Sequence, residues 1–191
     1  MIPLEFDRPL QTPRLRIRLM TDADIDAITA HESRAEVCEY LLYEPRTRDE
    51  VAEKIADWAI RTRLRRDGDF LQLAVALNDG RVIGELYFSL VSVEYETAEI
   101  GWVLSPDHQG HGYAAEAATA LLDLGFGRMR LHRIKAELAP ENTASVSLCL
   151  RLGMREEAHF VEDMFVKGHW EDTGVYALLR REWDGRASPA G

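Results

Sequence analysis

Hydrophobic and polar positions recur with two different periods along the first half of the chain. In residues 15–19 apolar side chains alternate with arginines, which is typical of a half-buried strand. Thr21 then precedes acidic residues and an apolar pattern with helical spacing, as at the start of a helix. A second helix is predicted from a cap at Thr47 to about Arg65, because apolar residues return there every three or four positions.

The second half of the chain predicts a hairpin followed by alternating strands and helices. Two β-rich runs flank Asn78-Asp79-Gly80, a sequence typical of a tight turn. The pattern then predicts a strand over 97–104, a helix over 112–127, a strand over 132–139, a helix over 141–153 that ends at Gly153, and a last strand over 172–183. This order indicates an α/β or α+β class with one partly parallel sheet.

Length and composition fit a single domain over residues 1–191, with its core over about 14–184 and a frayed tail over 185–191. With 46% hydrophobic and 29% charged residues, the composition excludes a disordered or collagen-like chain. No apolar run is long enough to cross a bilayer, and the first residues lack the layout of a secretory signal. We therefore expect a cytoplasmic protein without a membrane partner.

Charge and cysteine content narrow the class of partner. The formal net charge of −10 opposes binding to nucleic acid, which requires clustered lysine and arginine, and mildly favours a cationic ligand. Cys38 and Cys149 lie far apart and in no metal-ligand spacing, so two reduced thiols and no metal site are expected.

A glycine-rich turn at Gly110 and Gly112 carries the strongest chemical signal. It lies between a predicted strand and a predicted helix, where the first N–H groups of the helix lack partners and the helix dipole favours an anion. Glycine at both positions lets a ligand approach the main chain, and Ala114 keeps the first helical turn small. The turn therefore predicts a phosphate site.

Two other interpretations of this turn stay open. The glycines can serve only to connect the strand to the helix. The run also satisfies the G-x-G-x-x-A pattern of dinucleotide-binding proteins, with Glu137 as the ribose acid, although too few strands and helices follow it. A Walker loop is excluded because Gly-Lys-Ser/Thr is missing.

The extended turn, Gln109-Gly110-His111-Gly112-Tyr113-Ala114, is similar to the Gln/Arg-x-x-Gly-x-Gly/Ala signature of the GCN5-related N-acetyltransferases, the GNAT superfamily. The longer runs 98–126 and 131–158, which include the Asn-x-x-Ser of Asn142 and Ser145, resemble the branch of the ribosomal-protein-alanine N-acetyltransferases. The resemblance covers about residues 15–183.

This resemblance implies the GNAT fold of acyl-coenzyme A N-acyltransferases, a mixed central sheet flanked by helices, in which the fourth strand (98–104) splays from the fifth (133–139). It implies acetyl-coenzyme A (acetyl-CoA) as the cosubstrate in that gap, with its pyrophosphate on the turn amides and its pantetheine arm along the fourth strand. The implied coenzyme-binding residues are Trp102, Val103, Leu104, Gln109, Gly110, His111, Gly112, Tyr113, Ala114, Asn142 and Ser145.

Acetyl transfer to an amine needs an acceptor for the ammonium proton and a donor for the departing thiolate. Glu99 on the fourth strand is the predicted base, with Glu94 and Glu96 behind it, and an ion-paired or exposed carboxylate is its structural alternative. The resemblance makes Ser145 the donor. Cys149, where many members carry tyrosine, is the other candidate. A capping hydroxyl and a core thiol are the plain structural roles of these two residues.

Backbone N–H groups near Val103 or Leu104 are expected to polarise the acetyl carbonyl. Two loop histidines, His108 and His111, border the turn and are candidates for phosphate or ribose contacts, or simply solvated side chains. The aromatic candidates for an acceptor pocket, which are also typical core residues, are Trp58, Tyr87, Phe88 and Trp170.

The predicted activity is transfer of acetyl from acetyl-CoA, by direct attack, to a primary amine on a protein N-terminus or a small molecule. The acceptor is left open. The sequence leaves the oligomeric state open between a monomer and a homodimer, although members of the resembled branch are often dimers. The alternatives are a non-catalytic acetyl-CoA sensor, suggested by cysteine at position 149, and a nucleotide-binding oxidoreductase.

Overall fold

The computed structural model describes residues 1–186 and has a mixed eight-stranded sheet at its centre. The strands are β1 (Leu4–Glu5), β2 (Leu10–Gln11), β3 (Leu15–Leu19), β4 (Arg63–Leu64), β5 (Phe70–Leu77), β6 (Val82–Ser92), β7 (Thr97–Leu104), β8 (Arg133–Leu138), β9 (Arg155–Val166) and β10 (His169–Leu179). The α-helices are α1 (Ile25–Glu32), α2 (Ala35–Cys38), α3 (Arg48–Ala59), α4 (Tyr113–Asp123), α5 (Thr143–Arg151) and α6 (Arg180–Arg186).

The order of strands in the sheet is β2-β3-β5-β6-β7-β8-β10-β9, and β1 pairs separately with β4. β7 and β8 are parallel neighbours that pair only from Thr97 to Glu99. β6, by contrast, pairs with β7 as far as Leu104. The outer half of β7 therefore has one free edge, and the predicted splay between the fourth and fifth strands of the family fold is confirmed.

The two faces of the sheet carry different side chains, since successive residues of a strand point to opposite sides. One face holds the larger core, with Leu73, Leu86, Phe88 and Ile134 buried together with residues of α4 and α5. The other face packs against α1 and α3 through a smaller apolar cluster that includes Ala74. Polar side chains of β5, β6 and β7 lie on this second face.

Local signals in the sequence place several boundaries correctly. The N–H of Thr47 donates to Glu50 Oε2 at 2.8 Å at the start of α3, and the N–H of Glu50 donates back to the Thr47 hydroxyl, which makes a capping box. The predicted hairpin is also present, because Leu77 N donates to Arg81 O at 2.8 Å and Gly80 has a φ of 92°.

Two predicted helix ends are wrong in the first two thirds of the chain, and one helix was missed. α3 ends at Ala59 instead of Arg65, because residues 63–64 pair with β1. The short helix α2 was not predicted. The helix expected over 112–127 ends as α4 at Asp123 and continues as a π-helical turn over Leu124–Arg128, in which Gly125 packs so closely that an added Cβ would lie 2.6 Å from Ile134 Cδ1.

The C-terminal part of the chain differs more from the prediction. The edge strand β9 was missed, and its side chains are largely exposed on both faces, so it lacks the alternation that identifies a half-buried strand. The last strand ends at Leu179, where the N–H of this residue donates to Glu182 Oε2 at 2.9 Å and α6 begins. Of the predicted frayed tail, residues 185–186 belong to α6 and residues 187–191 lie outside the described part of the chain.

No helix within residues 1–186 combines the length and the apolar character needed to span a membrane.

Candidate active site

A groove of about 490 Å³ follows the free edge of β7, and we call it the coenzyme groove. Its walls come from the outer half of β7, the glycine turn, the start of α5 and the segment around α2. Its lining residues are Glu36, Val37, Tyr40, Leu41, Trp102, Val103, Leu104, Gln109, Gly110, Gly112, Tyr113, Ala114, Ala115, Asn142, Ala144, Ser145, Ser147, Leu148 and Arg151. Nearly all the predicted coenzyme-binding residues therefore line one groove.

Both glycines of the turn adopt the left-handed backbone region, with φ of 78° at Gly110 and at Gly112. A side chain is strained in this region, so the turn requires glycine for its shape. Gly112 is the N-cap of α4 and offers no side chain to cap the helix. In the described chain none of the N–H groups of residues 110–115 donates a hydrogen bond. The turn therefore presents unpaired donors at the positive end of a helix dipole.

Arg14, which directly precedes β3, fixes the turn, although no motif in the sequence singles it out. Its Nη1 donates to His111 O at 2.9 Å, and its Nε pairs with Glu116 Oε2 at 2.6 Å. The guanidinium also lies 4.7 Å from the ring centroid of Tyr113. This contact with the main chain and with α4 holds the loop in the conformation that exposes its N–H groups.

The two loop histidines do not line the coenzyme groove with their side chains. The imidazole of His111 lies with Nδ1 2.8 Å from Gln109 O and stacks on Tyr113, so this residue offers the groove only its backbone. The Nδ1 atom of His108 is buried without a hydrogen-bond partner in the described chain. Gln109 donates through Nε2 to Leu104 O at 3.2 Å and ties the turn to the end of β7.

The strand register decides which backbone N–H groups of β7 face the groove. Ser105 N donates to Ile83 O, and hydrogen-bonded pairs alternate along an antiparallel ladder. The pair of Val103 with Glu85 is consequently hydrogen-bonded towards β6. The N–H of Leu104 points the opposite way, to the free edge. Of the two donors predicted for the acetyl carbonyl, the register favours Leu104.

Asn142 and Ser145 lie at the start of α5, as the Asn-x-x-Ser spacing predicts. Asn142 Oδ1 accepts from Ser145 N at 3.0 Å and caps the helix. The Ser145 hydroxyl accepts a 3.2 Å hydrogen bond from Trp102 Nε1. These contacts hold the hydroxyl oxygen between β7 and α5.

Cys149 is not brought to the site. Its side chain is fully buried in the main core, it lines neither cavity, and burial raises the pKa of its thiol to about 12. A residue four positions after Ser145 lies one helical turn further on, here inside the protein.

A second cavity of about 530 Å³, which we call the acceptor cavity, lies on the face of the sheet that carries Glu85 and Glu99. It shares Tyr40, Leu41, Trp102, Val103, Asn142 and Ser145 with the coenzyme groove, so the two spaces meet at these residues. The other lining residues are Glu32, Leu42, Tyr43, Arg46, Trp58, Phe70, Gln72, Glu85, Tyr87, Glu99, Ile100, Gly101, Ala136, Glu137 and Leu138.

Glu99 lies in the acceptor cavity next to the splay of the strands. Its Oε2 is 3.3 Å from Lys135 Nζ, which also contacts Glu137. Burial raises the pKa of Glu99 above its ordinary value, and the Lys135 ammonium opposes this shift only in part. Glu137 lines the acceptor cavity and not the coenzyme groove, so it is not placed to hold a ribose beside the glycine turn.

A buried polar cluster forms another wall of the acceptor cavity, and the sequence analysis missed it. Glu32 is fully buried, accepts from Tyr43 Oη at 2.9 Å and pairs with Arg46 Nη1 at 2.9 Å. Glu85, which is 1% exposed, accepts from Gln72 Nε2 at 2.7 Å through Oε2. The detectable signal was Glu85 itself, a charged residue inside the apolar run of β6.

The ionisation of the two buried glutamates is linked. Burial and the neighbouring Glu85 raise the pKa of Glu32 to about 7. Burial also favours the neutral form of Glu85, but its neighbours His31, Glu32 and Gln72 outweigh this effect and hold its pKa below the usual range. Glu85 is therefore the ionised member of the pair in neutral solution.

The four aromatic candidates lie in three different places: the acceptor cavity, the core and the surface. Trp58 and Tyr87 line the acceptor cavity. Phe88 points into the main core on the opposite face of β6, and Trp170 is 58% exposed on β10 away from both cavities. In the described residues no three His, Cys, Asp or Glu side chains converge as metal ligands.

Comparison with known proteins gives consistent matches. Residues 14–155 match the family model described as Acetyltransferase (GNAT) domain. An uncharacterised N-acetyltransferase, p20 of Bacillus licheniformis, is 33% identical over 92% of this chain and 98% of its own length. The [Ribosomal protein uS5]-alanine N-acetyltransferase of Escherichia coli is 29% identical, over 91% of this chain and 92% of its own.

Solved structures agree with these matches. An acetyltransferase of the GNAT family from Bacillus anthracis superimposes with a TM-score of 0.82 at 31% identity, covering 91% of this chain and 99% of the other. The spermidine N-acetyltransferase of Vibrio cholerae, in a complex with CoA and spermine, has a TM-score of 0.76 at 25% identity, with coverage of 90% and 99%.

Proposed function

Because the chain belongs to the acetyltransferase (GNAT) family and is an N-acetyltransferase, we propose that it binds acetyl-CoA in the coenzyme groove and acetylates a primary amine in the acceptor cavity. The observation that supports this function most strongly is that the two cavities meet at Trp102, Val103, Asn142 and Ser145. A thioester at the end of the groove and an amine in the cavity would face each other at this junction, which is the arrangement that direct attack requires.

The groove residues fit the coenzyme. The unpaired N–H groups of residues 110–115 match the charge and the acceptor atoms of a pyrophosphate. The free edge of β7 offers backbone groups at Trp102 and Leu104 to an extended amide chain such as the pantetheine arm. The side-chain amide of Asn142 lines the opposite wall. Bound there, acetyl-CoA supplies an activated acetyl group as a thioester.

Glu99 is the proposed proton acceptor for the incoming amine. An alkylammonium must lose a proton before it attacks, and a carboxylate accepts it directly or through a water. The raised pKa of Glu99 makes this carboxylate more basic than an exposed one. Lys135 favours its ionised form and holds its orientation through the 3.3 Å contact.

Ser145 is the proposed donor to the departing sulfur. Its oxygen already accepts from Trp102, so the hydroxyl hydrogen is the group it can offer to a thiolate in the groove. The N–H of Leu104 is the proposed donor to the acetyl carbonyl oxygen, since it points to the free edge of β7.

As the acceptor we propose a small amine in preference to a protein N-terminus. The cavity is lined by four carboxylates against one arginine, and it is bounded by aromatic rings. Two similar enzymes act, by their names, on spermidine and on a ribosomal-protein alanine, so both kinds of amine belong in the test. A cytoplasmic location, supported by two separate free thiols, stays a prediction, and a homodimer stays one of two open alternatives.

The test is release of coenzyme A thiol from acetyl-CoA with a panel of monoamines, diamines and alanine-terminal peptides. The proposal requires acetylation of at least one amine, with the product identified by mass. Calorimetry with coenzyme A is the parallel measurement, since it reports on the groove alone. Tight coenzyme binding without turnover on any amine would favour the sensor alternative.

A further inference from the structure

Glu85 has a buried oxygen that no group in the described chain satisfies. Oε2 is held by Gln72, whereas Oε1 is buried and has no hydrogen-bond partner. The nearest basic nitrogen, His31 Nε2, lies 3.8 Å from Oε1, beyond hydrogen-bond distance. His31 is anchored through Nδ1, 3.1 Å from Ala27 O, and its Nε2 is likewise buried without a hydrogen-bond partner in the described chain. A buried carboxylate oxygen without a partner is costly to the fold, so its presence in a cavity wall points to a ligand.

The other carboxylates of the acceptor cavity already have cations. Glu32 pairs with Arg46, and Glu99 and Glu137 both pair with Lys135. Of the carboxylates that line this cavity in residues 1–186, Glu85 is the one without a lysine or arginine partner. The basic group nearest its free oxygen in the described chain is the His31 imidazole at 3.8 Å, so no lysine or arginine neutralises its charge in the cavity wall.

Glu85 lies close to the junction of the two cavities. It is paired across the sheet with Val103, which lines both, and such hydrogen-bonded pairs have their Cα atoms about 5.5 Å apart. Tyr87, two residues further along β6, and Phe70 form an aromatic wall on the same face, with ring centroids 5.6 Å apart. Aromatic faces attract cations and pack on methylene groups.

We propose that the acceptor carries a second cationic group, a few methylenes from the amine that is acetylated, and that Glu85 binds this group. The ligand class is an aliphatic diamine or a longer amine with a positive group at each end. The inference rests on the proposed function, since it assigns the substrate class of the same cavity.

Diaminobutane and butylamine are matched probes, because both have a chain of four carbons and only diaminobutane carries a second ammonium. For the wild-type protein with acetyl-CoA, we expect kcat/KM for diaminobutane to exceed that for butylamine about tenfold or more, as for a hydrogen bond to a charged group. Equal values for the two amines overturn this inference and leave the proposed function intact. If the protein acetylates no amine at all, both the inference and the proposed function are wrong.

Glu85→Gln provides the second measurement, with Glu53→Gln as control because Glu53 is an exposed carboxylate on α3 outside both cavities. The expected result is a loss of about tenfold or more in kcat/KM for diaminobutane, with butylamine changed less than about twofold. Equal losses for both amines would show a structural role for Glu85 and overturn the proposal. If Glu85→Gln does not fold, the comparison of diaminobutane with butylamine on the wild-type protein still tests the inference.

Discussion

Trp102 Nε1 donates a 3.2 Å hydrogen bond to the hydroxyl of Ser145, across the gap between β7 and α5. Because the hydroxyl oxygen is already an acceptor in this contact, its hydrogen is free to be donated elsewhere. The pair lies where the coenzyme groove and the acceptor cavity meet. Trp102 thereby orients the group that we propose protonates the departing sulfur.

Ser145→Ala should lower kcat by about a hundredfold and leave the Kd of coenzyme A within a few-fold, since positioned proton donors contribute at least this much. Thiol release and calorimetry measure the two quantities. Cys149→Ala is the matched comparison: its thiol is buried away from both cavities, so the change should cost stability and spare kcat. If Cys149→Ala lowered kcat and Ser145→Ala did not, the cysteine would be the proton donor.

Trp102→Phe keeps an aromatic ring in the wall and removes the N–H that orients Ser145. We expect a smaller fall in kcat, roughly threefold to tenfold, as for loss of one neutral hydrogen bond. In a Ser145→Ala background the same change should have little further effect, because the two residues act through one contact. Steady-state kinetics of the double-mutant cycle measures this coupling, and fully additive losses would contradict it.

Glu99→Gln should spare coenzyme binding and lower kcat by about a hundredfold. In the wild type, activity should fall as the pH drops through the raised pKa of Glu99, because the base works only when ionised. The variant should lose this acidic limb. If rate and pH profile are the same in both proteins, another group accepts the proton.

Gly112→Val should abolish coenzyme A binding, because a side chain at φ 78° distorts the turn and crowds its free N–H groups. Gly80→Val is a matched control, since Gly80 also has a positive φ, of 92°, in a hairpin away from both cavities. Calorimetry should show loss of binding in the first variant only. Equal loss in both would mean that general strain is responsible.

The Tm difference between Glu85→Gln and the wild type should favour the variant by a few degrees more at about pH 8 than at about pH 5. Glu32 keeps its proton up to about pH 7 in the folded protein and loses it near its ordinary value of 4.5 when unfolded. The folded state thus binds more protons across this window, and stability falls as the pH rises through it. Above it two buried carboxylates repel each other, and the substitution removes that repulsion.

Thermal unfolding at the two pH values checks this prediction, with Glu53→Gln as the exposed control. A Tm change that is the same at both values would show that the linked ionisation of Glu32 and Glu85 does not limit stability.

Features that depend on neighbouring residues could be predicted from the sequence. The cap at Thr47, the hairpin at Gly80 and the turn at Gly110 and Gly112 each depend on a few adjacent side chains and on glycine's access to positive φ. The resemblance added the splay of β7 from β8 and the proximity of Asn142 and Ser145 to β7. These could be predicted because the motif and the fold occur together.

Features that depend on pairing between distant segments follow only from the folded chain. The register of β6 on β7 places Glu85 beside Val103, and the packing of α1 on β6 buries Glu32 and His31 behind it. It also sends Cys149 into the core while Ser145 reaches the cavities. Burial and charge pairing are sums over contacts far apart in the chain, so no local pattern reports which carboxylate lacks a partner.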